Sequence, residues 1–312
     1  MTSQDEITRT ADRLKDALGA AADLMAVGDS TVRARGPRTG HAWKWLLPLA
    51  AAASVVVITL AAVLAGHPAG NTLASGPFTQ VYSSNGKAAH LVNVPAPDPA
   101  VLNSPGEQAA GSRIVKILGS APECGGELEG SGFVYAPQHV LTNAHVVAGV
   151  TQGQTVTTAD GATYRARVVF YDPRTDIAVL DVPGLKLAPL RFSTQASPGD
   201  NAVVAGYTES SRSFTAVPAR IGQVLRAEGP DIYGSGQVDR QIFQIRGAVK
   251  LGNFGGALLS PGGTVDGVVF ARSVPAPDTA FVLTASEIQA DAHAGANATV
   301  PVSTQGCTPG QQ

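Results

Sequence analysis

Gly252-Asn253-Phe254-Gly255-Gly256 lies late in the chain, between an apolar-rich segment from Ile242 to Val249 and a strand-like run from Ala257 to Leu259. Three glycines in five residues let the backbone approach a bound group closely. They also turn successive N–H donors into one small space that Cβ atoms would crowd. Turns of this kind hold the nucleophile and the oxyanion donors of acyl-transfer enzymes. Here the central residue is a phenylalanine, which carries no nucleophilic atom.

Two further stretches give the turn its meaning. Gly130-Ser131-Gly132-Phe133-Val134 leads through Val140-Leu141-Thr142-Asn143-Ala144-His145-Val146-Val147, a hairpin ending in a histidine. Thr175-Asp176-Ile177-Ala178-Val179-Leu180 sets an aspartate at the start of a buried strand. Histidine, aspartate, nucleophile turn is one of the chain orders in which a catalytic triad arises.

The surroundings read as short strands at Ile114 to Leu118, Ser131 to Tyr135, His139 to Thr142, Thr155 to Thr158, Tyr164 to Tyr171 and Ile177 to Val182. Further ones follow at Ala202 to Ala205, Ala216 to Val224, Gln241 to Ile245, Ala257 to Leu259, Val265 to Ala271 and Ala280 to Leu283. Asp160-Gly161, Pro198-Gly199-Asp200 and Pro261-Gly262-Gly263 are turn signals between them. The expectation is an all-β region, two small antiparallel barrels or a sandwich.

With the three stretches in this order, the chain resembles the trypsin-like double-β-barrel serine proteases, and among them the membrane-anchored periplasmic members from actinobacteria. The likeness runs from about Arg113 to Cys307. It includes Lys116-Ile117-Leu118-Gly119, Thr215-Ala216-Val217-Pro218-Ala219-Arg220, Gly229-Pro230-Asp231-Ile232-Tyr233-Gly234 and Phe281-Val282-Leu283-Thr284-Ala285. The resemblance implies His145 as general base and Asp176 as the carboxylate that orients it. It places the N–H groups of Gly252 and Phe254 in the oxyanion hole and a disulfide between Cys124 and Cys307. On cysteine count alone the two thiols are as readily unrelated.

The likeness departs in two ways: the membrane region of those relatives has several helices, and their turn has serine where this chain has Phe254. Without that hydroxyl His145 has nothing to deprotonate and no acyl-enzyme forms. Ser260 and Ser131 are not expected to reach His145. The expected function is therefore a pseudoprotease that binds a peptide or protein segment. An active serine endopeptidase and a transmembrane sensor with a cytoplasmic partner are the alternatives. Ala248 and the strand from Val268 to Ser273 are expected to wall a specificity pocket, without an acidic residue to favour Lys or Arg.

Composition sets the outer limits. The 312 residues are 44% hydrophobic and 15% charged with a net charge of -2, which suits a globular or membrane-associated chain and gives no electrostatic case for nucleic acid. No metal-ligand spacing surrounds either cysteine, and no metal or cofactor is expected.

Residues 1–43 are read as a cytoplasmic region. Ser3-Gln4-Asp5-Glu6 is a capping-box pattern opening an amphipathic helix from Asp5 to about Val27, which docks a cytoplasmic partner or is simply solvated. Arg33, Arg35, Arg38 and Lys44 precede an uncharged run, Trp45 to Ala65, long enough to span a bilayer within residues 44–66. The basic residues put the N-terminus in the cytoplasm and the remainder outside. A cleaved signal peptide fits less well, because the stretch before the apolar run is far too long. Residues 67–111, with Pro95-Ala96-Pro97-Asp98-Pro99, read as a stiff spacer, and residues 112–312 as the trypsin-like domain.

Overall fold

A computed structural model describes residues 80–83, 91–208, 213–273 and 276–309, all within one unit that runs from Ala69 to Gln312. The helix expected over 5–27 and the spanning segment expected over 45–65 lie outside the described residues. Among the described residues no helix is long and apolar enough to cross a membrane.

The first sheet contains β2 (Ile114–Ala121), β3 (Gly126–Ala136), β4 (His139–Thr142), β5 (Gln152–Thr157), β6 (Thr163–Arg165), β7 (Arg167–Asp172) and β8 (Ile177–Asp181). Their order is β6-β5-β2-β3-β4-β8-β7, antiparallel throughout. The two end strands, β6 and β7, are separated in sequence by Ala166 alone, so the sheet curls until its ends meet. At that junction the Ala166 N–H donates to the Gln154 carbonyl (2.9 Å). The run expected as one strand from Tyr164 to Tyr171 is therefore two strands, because its halves pair with opposite ends of the sheet.

The second sheet takes β1 (Gln80–Ser83), β9 (Asn201–Tyr207), β10 (Phe214–Pro230), β11 (Gln237–Arg246), β12 (Ala257–Leu259), β13 (Val265–Arg272) and β14 (Thr279–Thr284). Its order is β1-β10-β11-β14-β13-β12-β9, and β9 also pairs with β10, which closes it into a ring. The 17-residue β10 serves both purposes: Phe214 to Arg220 pairs with β9, and Arg220 to Pro230 pairs with β11. Two antiparallel closed sheets are the double barrel that the sequence resemblance implied.

Three apolar clusters hold this arrangement. Val115, Ile117, Val134, Val140, Val156 and Leu180 belong to one, largely from the first sheet, and Val204, Ile221, Phe243, Ile245, Leu258 and Val282 to another from the second. A third joins residues of both sheets, among them Ile114, Phe133, Leu141, Ile177, Val203, Ile242, Val268 and Leu283. Neighbours such as Ile177 and Ala178 thus enter different clusters, which is why β8 is buried at every position and is apolar without alternation from Ile177 to Leu180.

Among the described residues three α-helices accompany the sheets: α1 (Pro105–Gly111), α2 (Ala144–Val147) and α3 (Ala285–Gly295). Helix α3 was not expected from the sequence. It begins at Thr284, whose hydroxyl accepts from the Glu287 N–H (3.2 Å), and it turns Ile288 and Ala292 into the shared core.

From Leu91 onward the expected spacer is docked on the second barrel. Gln244 brackets the Val92 peptide, donating to its carbonyl (2.8 Å) and accepting from its N–H (3.0 Å). Arg246 donates to the Val94 carbonyl (3.0 Å), and the Val94 side chain is buried. At the other end of the chain, the tail after α3 lies on the first barrel, where Cys307 is bonded to Cys124.

One buried group in the second barrel works against stability. Asp266, on β13 and 4% exposed, has its carboxyl pushed up to about 7 by burial and by the nearby Asp200. Its ordinary value is 3.8. Below that pH both folded and unfolded chains hold the proton and the group contributes nothing. As pH rises toward 7 the unfolded chain loses the proton while the fold retains it, so stability falls, and above 7 the full penalty applies. Asp266→Asn is expected to raise stability at pH 8 by on the order of 2 kcal/mol and to flatten the decline between pH 4 and 7. Urea titrations of both chains at pH 5 and 8 check this.

Candidate functional site

The three stretches singled out in the sequence converge where the two barrels meet. Helix α2, a single turn after β4, presents His145, and the turn before β8 presents Asp176. The His145 Nδ1–H donates to Asp176 Oδ2 (2.8 Å), and the His145 backbone N–H donates to Asp176 Oδ1 (2.9 Å). Both carboxylate oxygens are thus committed to one residue, which fixes the imidazole's tautomer and its orientation. Asp176 itself is 3% exposed and has a left-handed backbone (φ 63°), a strained conformation for a residue with a Cβ. Asn143 helps to hold it there by donating to the Asp176 carbonyl (2.9 Å).

The glycine turn packs against the same place. Asn253, fully buried, closes it from inside: its Oδ1 accepts from the Lys250 N–H (2.9 Å), while its Nδ2 donates to the Tyr207 carbonyl (2.9 Å) and the Thr215 hydroxyl (3.1 Å). Gly255 has φ 80°, and a Cβ there would lie 2.2 Å from both the Ser131 carbonyl oxygen and the Thr142 hydroxyl. Only glycine fits. Among the described residues no acceptor is bonded to the N–H of Gly252 or of Phe254.

Phe254 projects from this turn toward the imidazole. Its ring meets the His145 ring edge to face, with centroids 5.5 Å apart and planes at 75°. Half-buried, it also packs against the apolar clusters of both sheets. The two other serines considered as nucleophiles are engaged elsewhere. Ser131, fully buried, donates to the Gly252 carbonyl (2.6 Å) and accepts from the Tyr207 N–H (2.7 Å), a strut beneath the turn. Ser260 shares a hydrogen bond with Thr264 (2.8 Å) in the turn after β12. Ala248, expected as a pocket wall, is exposed.

An imidazole backed by a carboxylate, beside a glycine turn at the junction of two closed β-sheets, is the arrangement of one protease fold. A domain model for trypsin-like peptidases matches residues 130–268. The solved structure of the active form of the Rv3671c protease from M. tuberculosis matches 71% of this chain and 97% of its own, at 43% identity and a TM-score of 0.68.

The chain belongs to the trypsin-like peptidase family.

The curated serine protease Rv3671c of Mycobacterium tuberculosis is 45% identical over 219 residues, 70% of this chain. The chain spans about half, 54%, of that relative's length. An HtrA-type protease, AlgW, solved with a tripeptide, shares this trypsin-like fold at 23% identity and a TM-score of 0.54. Cys124 and Cys307, paired by the resemblance, are bonded in this structure with Cα atoms 5.2 Å apart.

Sequence reasoning found His145, Asp176 and the turn. It missed Asn253, which closes the turn from inside, and Arg240, a buried cation that donates to the Arg174 carbonyl two residues before Asp176. Asn253 stood inside the quoted turn, and a buried amide there has a readable purpose, since a turn of glycines needs a side chain to stiffen it. Arg240 gave no local signal at all.

Proposed function

We propose that this chain is a membrane-anchored, extracytoplasmic trypsin-like pseudoprotease that binds an extended peptide or protein segment in the cleft between its barrels. The observation that carries the reading is Phe254 lying edge-on against His145 in the turn where the family keeps its serine. His145 and Asp176 keep the geometry of a general base and its orienting carboxylate, and the N–H groups of Gly252 and Phe254 stand as the oxyanion donors. No hydroxyl at position 254 completes the set. A half-buried aromatic ring in a cleft is a ready contact for an apolar side chain of a partner. Strand β13 continues to Arg272 beyond its pairing with Ala257, the first residue of β12, and such an extension suits an added peptide strand. The HtrA-type relative solved with a tripeptide supports that class of ligand.

Anchoring rests on the uncharged run from Trp45 to Ala65 and the basic residues before it, and the disulfide suits an oxidising compartment. The full chain, reconstituted in detergent, is the material for the test. A fluorophosphonate probe is expected to leave the unmodified chain unlabelled, while an array of extended peptides yields binders whose affinity falls about tenfold or more in Phe254→Asp, as for loss of a central aromatic contact. Labelling of the unmodified chain together with peptide cleavage would establish an active endopeptidase instead.

A further inference from the structure

The hairpin between β10 and β11 reaches out of the second barrel onto the first. Its turn is stiffened by Asp231, whose Oδ1 accepts from the N–H groups of Tyr233 and Ser235 (both 2.9 Å). From there the Ile232 N–H donates to the Pro173 carbonyl (3.2 Å). The Tyr233 hydroxyl meets that of Tyr171 (2.5 Å) and donates to the Thr304 carbonyl (3.1 Å). This hairpin contains Gly229 to Gly234, a stretch whose likeness to the family has so far had no role.

Behind the hairpin sits Arg240, 1% exposed, the largest fully buried side chain among the described residues. Its Nε–H donates to the Arg174 carbonyl (2.7 Å), and its two terminal nitrogens donate to the Pro230 carbonyl (3.3 and 3.4 Å). Thr175, the next residue along, donates from its hydroxyl to Asp291 on α3. The three residues before Asp176 are therefore each tied to the second barrel or to α3: Pro173 by the hairpin, Arg174 by Arg240 and Thr175 by Asp291. Burying a guanidinium is costly unless its charge is compensated. Burial holds the Arg240 guanidinium below its ordinary value, and four carboxylates offset part of that: Asp176 most strongly, then Glu287, Asp231 and Asp172.

We propose that Arg240 is a positioning residue for the His145–Asp176 pair, the strut through which the second barrel sets the turn at 172–176 and with it the carboxylate that orients the imidazole. Asp176 occupies a left-handed conformation that its neighbours must impose, and Arg240 is the buried cation placed to impose it. The arrangement stands whether or not the cleft takes a peptide.

The test reads the Nδ1 proton between His145 and Asp176 directly, without catalysis. In the full chain with nitrogen-15 histidine, this proton gives a low-field NMR resonance that is absent from His145→Gln. In Arg240→Gln the chain is expected to stay folded while the resonance disappears or exchanges with solvent about tenfold faster, the scale of losing a charge-assisted hydrogen bond. Arg240→Lys, which keeps the charge but not the fork, should fall between the two. Tyr233→Phe, which frees the hairpin at nearly constant volume, should speed exchange by a smaller factor and covers the case in which Arg240→Gln does not fold. An unchanged resonance in a folded Arg240→Gln overturns the proposal, as does unchanged exchange in both Arg240→Lys and Tyr233→Phe. Absence of the resonance from the unmodified chain also overturns it.

Discussion

Phe254→Ser is expected to do two opposite things: weaken the fold by about 2–3 kcal/mol and make the chain reactive toward a fluorophosphonate at residue 254. The loss follows from where the ring lies. It packs against apolar residues of both sheets, so its removal leaves a gap at the junction rather than at the surface. Complete burial would put the cost near the 3–5 kcal/mol of a core Phe→Ala; half-burial reduces it. The gain follows from what the ring lies against. His145 Nδ1 is held by Asp176, which puts Nε2 on the edge of the imidazole away from that carboxylate. A hydroxyl on the same turn would have that nitrogen as its proton acceptor and the N–H groups of Gly252 and residue 254 for its oxyanion. Loss of the serine costs a comparable protease about 10⁶ in turnover, so an intact cleft should recover several powers of ten. Denaturant titration and probe labelling, run on one preparation, separate the two effects. Loss of stability with no labelling would mean that the cleft has changed beyond this one residue.

How far the sequence foretold this site depends on what each residue touches. His145 and Asp176 were legible because each stands beside a short strand-like run and both precede, in triad order, a turn with three glycines in five residues. His139–Thr142 and Ala257–Leu259 match their expected bounds to the residue: a turn precedes each, and the start of α2 follows the first and a turn the second. Helix α3 was illegible because 285–295 is rich in alanine with only Ile288 as a large apolar residue, too little for a helical period. Its start was marked by Thr284-Ala285-Ser286-Glu287, a capping pattern that reads as strand end without knowledge of the fold. Glu287 does not close that box; its carboxylate instead accepts from the Gln241 N–H (2.8 Å). Arg240 was hidden for a different reason. A cation in a strand reads as solvent-facing, and the carbonyl that receives its Nε–H is 66 residues away. Charges buried by long-range partners leave no periodic trace, and here such a charge lies behind the site.

Reducing the Cys124–Cys307 bond is expected to cost about 3–5 kcal/mol, a fall in stability on the scale of a whole small domain's margin. The bond spans 183 residues, and in the chain-entropy model opening a loop of that length releases about 5 kcal/mol of unfolded-state freedom. Native contacts do not need the bond to stay formed. The tail is separately fastened by Val302 N–H to the Val168 carbonyl (2.9 Å), by the Thr304 hydroxyl to the Val150 carbonyl (2.9 Å), and by Gly149 N–H to the Thr304 carbonyl (3.2 Å). If the cost lies in the unfolded state, reduced chain should show lower stability in denaturant while amides near 302–304 stay protected in native buffer. If the cost lies in the tail, those amides should exchange before any global loss appears. Gly149→Ala discriminates further. At φ 71°, with a Cβ that would stand 2.3 Å from the Cys124 sulfur, it strains the oxidised native state directly. It should therefore destabilise both chains, and the oxidised one by more, because the backbone penalty at φ 71° remains after reduction while a freed Cys124 sulfur can rotate away from the Cβ. An equal cost in both states would place the strain in the backbone at Gly149 and not in its contact with the sulfur.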